Sequence, residues 1–342
     1  MNTPDWSAEP LTRWFNSVEV TFQSLGSHTN APATAAVGVT VAGATAFVAE
    51  GTNGVRLVRL TEPDRPQSIG RLPTARVAGS VAVDGPTAYV TTGVAGVEIF
   101  AWSDAGTAER LAILDTPGNA SAVRLAGSHL YVADGGAGWS VYDVAEPRNP
   151  RRLGGVDTPG LVQDLQVVGS RLFVADGSRG LSVYSVDDPT APELVGHFDV
   201  TTKDADGLSA EGQAMRVLVV GSTAYLLDWP VGVRILDVSD PANPQERGRI
   251  SNPRRINGMS VSGTKAALAV GADGVETWDV SDPATPVKAG TFDTAGSARA
   301  VASTGGLWLV ADREGGLLVL ADESTELRFA GGCGAAEFAR RI

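Results

Sequence analysis

Seven times along this 342-residue chain a glycine is followed eleven residues later by another, and the unit holding the pair returns at a nearly fixed interval. The leading glycines are Gly43, Gly85, Gly127, Gly169, Gly221, Gly263 and Gly305, spaced by 42 residues except for one step of 52 after Gly169. Their partners are Gly54, Gly96, Gly138, Gly180, Gly232, Gly274 and Gly316. A period of about 20–50 residues marks stacked supersecondary units, because one such unit cannot bury its apolar face alone. The repeat runs from about residue 34 to 320, which predicts one body rather than the two domains that length alone would allow.

Each unit reads as four short strands. Around Gly127 they are "SAVRLAG", "HLYVAD", "WSVYDV" and "RRLGGVD", apolar runs rich in Val, Leu and Tyr between turn residues, with no sustained helical period. The first turn ends in glycine, as in Ala42-Gly43 and Asp84-Gly85, where a two-residue hairpin needs positive φ. An acid lies seven residues past the first glycine at Glu50, Asp134, Asp176, Asp228 and Asp312, with Thr92 and Val270 as departures. The third turn reads acid-Pro-x-x-Pro, as at Glu146-Pro147 with Pro150 and Asp240-Pro241 with Pro244. Proline cannot donate to a ladder and so ends the third strand. Four antiparallel strands in about 42 residues, seven times over, predict an all-β, seven-bladed β-propeller.

The segments "LYVADGGAGWSVYDVAEPRNP", "LFVADGSRGLSVYSVDDPTAP" and "AYLLDWPVGVRILDVSDPANP" resemble the LVIVP repeat of bacterial and archaeal propeller proteins. The resemblance covers all seven units and is weakest in the second and seventh. It implies a seven-bladed ring, often at or outside the cell surface, and supplies no catalytic residues. A ring must close, since an open sheet leaves an unpaired edge. The seventh unit weakens after Leu320, and Val18, Val20 and Phe22 alternate with polar residues. Residues 17–22 are therefore expected to form the outer strand of blade seven, with 327–330 as the other candidate. The propeller is expected over residues 14–330, between tails 1–13 and 331–342.

A net charge of -12 and a pI of about 4.7 disfavour nucleic acid and anionic lipid surfaces as partners. The single cysteine, Cys333, leaves no disulfide framework or Cys-cluster zinc site. No apolar run reaches the ~18 residues needed to span a bilayer. The opening MNTPDWSAEP lacks the basic-then-apolar layout of an export signal, so the compartment stays open between the cell interior and export with a leader removed.

Let the strands of a blade run a to d outward from the axis. The b-c loops and d-a crossovers then share one face, and the a-b and c-d turns share the other. The ten-residue insertion falls in the crossover from unit four to unit five, about 201–212, and carries Asp204 and Asp206. Trp229-Pro230 replaces the usual glycine-containing b-c loop in the next unit, and Arg254 and Arg255 occupy the following crossover. All are expected on one face, with Trp229 either a packing plug under the inserted loop or an aromatic anchor with a basic rim. Arg299, Arg216 and Gln163 stand near the starts of innermost strands and are candidates for the channel mouth. The repeated acids are read as turn-bonding carboxylates rather than as a ring around a hard cation, and no metal or cofactor is expected. His28, His129 and His197 are too dispersed for a triad or a multi-His site, and neither a GxSxG elbow nor a P-loop occurs. These features favour a non-enzymatic scaffold that binds a protein or carbohydrate. The alternatives are a propeller hydrolase or lactonase using carboxylates and a divalent ion at the channel, or a rigid structural spacer.

Overall fold

A computed structural model of the chain describes residues 22–28, 35–203, 209–210, 212–252 and 254–322. Seven four-stranded antiparallel sheets form a ring, and no helix occurs among the described residues. Blade 3 shows the plan: Ala122–Ala126 (a), His129–Ala133 (b), Trp139–Asp143 (c) and Arg151–Val156 (d), paired in that order. The a strands, which start with Gly38–Ala42 in blade 1 and end with Ala300–Thr304 in blade 7, contact one another in cyclic order around the axis.

The apolar runs are continuous because both faces of each sheet are covered. In strand b of blade 3, Leu130 and Val132 pack toward blade 2, while Tyr131 and Ala133 pack toward blade 4. Seven apolar clusters result, one in each interface between neighbouring blades. Burial at about 25 cal/mol per Å² therefore stabilises a blade only when its neighbours are present.

The leading glycines sit in the a-b hairpins at positive φ, as Gly43 does at 54°, with open space where a side chain would stand. In contrast, a Cβ on Gly138 would meet the backbone of Val156 and Thr158, so the second glycine is required by close approach as well as by its φ of 76°.

Strand d of blade 7 comes from the other end of the chain: Phe22–His28 pairs antiparallel with Leu317–Asp322, closing the ring. Of the segment 17–22, Phe22 opens this strand and the rest lies outside the described residues, as do 327–330 and the two tails. The strand bulges between Ser24 and Gly26, and the c-d pairs of the other six blades shift register at the corresponding place.

Candidate functional site

Eight residues past each leading glycine, five b-c loops place a glycine with φ between 55° and 70°: Gly51, Gly93, Gly135, Gly177 and Gly271. Each of these bridges to the start of the next blade, for example Gly51 to Ala78 and Gly135 to Val162. The same slot holds Arg313 in blade 7 and Trp229 in blade 5. Arg313 keeps the left-handed conformation at φ 44° and bridges to Ala36, latching the last blade to the first. Trp229 instead ends a lengthened strand b, Thr223–Trp229, paired with Gln213 of strand a, and precedes Pro230 through a cis peptide.

Gln213 opens the strand that directly follows the insertion, whose ends pair as a short ladder of Thr202–Lys203 with Ser209–Ala210. Asp204 and Asp206 lie between those ends, outside the described residues. Trp229 is 43% exposed and so is not a buried plug, and Pro230 is exposed beside it.

Trp229, Arg254, Arg255, Arg299, Arg216 and Gln163 all line one cavity of about 1170 Å³ that follows the central channel. Arg254 donates to Asp273 at 3.0 Å, whereas Arg255 is exposed and makes no ion pair or hydrogen bond among the described residues. Arg299 donates through Nη1 to Asn257 Oδ1 at 3.3 Å. Burial first, then the Arg313 and Arg255 guanidiniums, hold its pKa below the usual arginine value. Deeper in the channel Arg124 pairs with Asp164 at 2.8 Å. Desolvation lowers the pKa of nearby Arg216, partly offset by Asp164 and reinforced by Arg124.

The repeated acids do not face this cavity as a ring. Asp134, Asp176 and Asp312 are buried, and each accepts a 2.7 Å hydrogen bond from a threonine of the incoming d-a crossover: Thr116, Thr158 and Thr294. They tie down that crossover rather than amides of their own turn, which corrects the sequence expectation. Where the threonine position is Val200, Arg234 serves Asp228 instead, with Nε 2.6 Å from Oδ2. Where the acid position is Thr92 or Val270, strand c supplies the buried carboxylate. Glu98 accepts from the Ala75 amide at 2.7 Å, and Glu276 from Asn252 Nδ2 at 2.9 Å. The outer acids of the Asp-Pro turns cap their own loops, as Asp282 does with the Ala284 amide and Thr285 hydroxyl. No three His, Cys, Asp or Glu side chains gather at metal-ligating separation among the described residues. Sequence reasoning missed Arg313 and Arg124; Arg313 carried a signal, being a non-glycine in the same column that singled out Trp229.

The fold defines a seven-bladed β-propeller. Within that class, residues 117–158, 159–200 and 211–252 match the LVIVD repeat. No curated protein matches the chain by sequence. Among solved structures it resembles the β-propeller domain of Myceliophteria thermophila Cps50 (Swd1), with TM-score 0.70 and 11% identity over 88% of this chain and 99% of that one. It also resembles the WD40 β-propeller domain of Doa1, with TM-score 0.69 and 10% identity over 90% and 98%. The computationally designed Ika8 protein aligns at TM-score 0.60 and 9% identity over 84% and 83%. At these identities the likeness is one of fold. No helix is long and apolar enough to cross a membrane among the described residues.

Proposed function

We propose that the chain is a binding scaffold whose b-c and d-a face receives a protein or carbohydrate partner. Trp229 and Pro230 form the apolar anchor, and Arg254, Arg255 and Arg299 form the rim. The observation that carries this reading is Trp229 itself, a large aromatic standing 43% exposed in a slot where five other blades have glycine. Its indole is not needed to fill an interface between blades, and partly exposed tryptophan and arginine dominate recognition surfaces. The hydrolase alternative draws no support from the described channel wall, where the two acids among the described residues, Asp164 and Asp228, are each committed to an arginine.

Capture of partners from the source organism's fractions tests the reading, with wild type, Trp229→Ala and, as a control on the a-b turn face, Val168→Ala. Loss of a specific partner with Trp229→Ala alone is the expected outcome. Equal recovery by all three proteins removes the face from consideration.

A further inference from the structure

The channel wall has a charge opposite to that of the molecule. In a chain of net charge -12, the cavity is lined among the described residues by six arginines, Arg124, Arg216, Arg254, Arg255, Arg299 and Arg313, against two aspartates and no glutamate. Arg124 spends its charge on Asp164, Arg254 pairs with Asp273, and Asp228 is already bonded to Arg234. Arg255, Arg299 and Arg313 are left at the mouth on the b-c and d-a face, supplied by a crossover, a strand start and a b-c loop. Arg255 has no ion pair among the described residues. The Nε atoms of Arg299 and Arg313 are buried without a hydrogen-bond partner among the described residues. Glu314, which acts on Arg299, is exposed and does not line the cavity.

Gathering guanidiniums costs free energy through mutual repulsion, and the fold does not demand it. Arg313 sits at φ 44°, where glycine serves in five other blades. Guanidinium forks bind carboxylate and phosphate oxygens bidentately, and a cavity walled by low-dielectric sheets strengthens that attraction.

We infer that the channel mouth is an oxyanion site, in which Arg255, Arg299 and Arg313 receive a carboxylate or phosphate group entering from the b-c and d-a face. This names the ligand chemistry of the face proposed above and rests on that reading for its biological setting. The group is carried either by a free small anion or by an acidic segment of a protein partner.

Calorimetric titration of the purified full chain at low salt, with inorganic phosphate, citrate and a hexaglutamate peptide in separate arms, tests it. At least one probe binds. Binding of phosphate or citrate assigns the site to a free anion, and binding of the peptide alone assigns it to an acidic segment. Arg313→Gly, which installs the residue that this backbone conformation favours, retains the folded state and weakens binding by about tenfold or more. Arg299→Gln, which keeps a hydrogen-bonding terminus for Asn257, weakens it likewise. Failure of all three probes to bind wild type, or unchanged affinity in both variants, overturns the assignment. The titration needs no partner, so its failure leaves capture through Trp229 standing, and loss of that reading leaves the titration standing.

Discussion

At the scale of single residues, Glu50 of blade 1 pairs with Arg56 and Arg71 of its own blade, but blades 2 to 7 share a rule that the glycine columns do not show: one buried carboxylate holds each incoming crossover. It stands at the end of strand b when the facing residue is a threonine or when an arginine is at hand. It stands in strand c as Glu98 or Glu276 when the strand-b position is Thr92 or Val270. The sequence displays the two departures, but their compensation becomes visible only where side chains 18 to 24 residues apart meet. Desolvation raises the pKa of Asp134, with Thr116, Gly118 and Arg152 opposing and Asp115 adding to the rise. A carboxyl whose folded pKa is raised binds its proton more tightly when folded, so its contribution to stability falls as pH rises from the ordinary carboxylate value of about 4 toward the raised one. Urea unfolding of wild type and Asp134→Asn across that range checks this. The difference, wild type minus variant, declines with rising pH and then levels off; a difference that grows with pH contradicts it.

At the scale of elements, the outer strands of every blade but the second, which has Ala112, carry a glycine at the bulge. Gly154 packs against Pro189 of the next blade, and a Cβ there would stand 2.8 Å from a backbone carbonyl oxygen. Gly196 and Gly248 meet Pro241 and Pro283 in the same way, and Gly26 meets Pro63 and Asp64 of blade 1. Gly26 thus does for blade 7 what the other glycines do for theirs. "Leu25-Gly26" matches "Leu153-Gly154" and "Ile69-Gly70", a signal in the sequence that the alternation of Val18, Val20 and Phe22 obscures. Overpacking against backbone costs about 1–3 kcal/mol, so Gly154→Ala and Gly26→Ala each lower the urea midpoint by that equivalent. Gly127→Ala, with open space around its Cβ and only an unfavourable φ of 57°, loses less. Equal losses at all three positions count against the packing account.

At the scale of the whole molecule, closure depends on one strand and one latch: Phe22–His28 on Leu317–Asp322, and Arg313 on Ala36. Leu25 packs on the cluster shared by blades 7 and 1. Removing residues 1–28 leaves Leu317–Asp322 as an open edge beside an interface whose cover is incomplete. The truncated chain is expected to melt lower and to self-associate, and a synthetic peptide spanning 17–30 is expected to restore the monomer by strand addition. Light scattering and thermal melts read the outcome; a truncated chain that stays monomeric with an unchanged melt shows that the strand does not close the ring.

The sequence alone determined the number of blades and the order of strands within each, because those depend on residues a few positions apart and recur seven times. It also brought Trp229 to the fore as a break in a column. Only the tertiary structure decided which segment seals the ring, and that Arg255, Arg299 and Arg313 share one channel mouth. Arg255 leads into blade 6 whereas Arg299 and Arg313 belong to blade 7, and both faces of each sheet are apolar. The local pattern therefore carries no record of which neighbours the closed circle brings together.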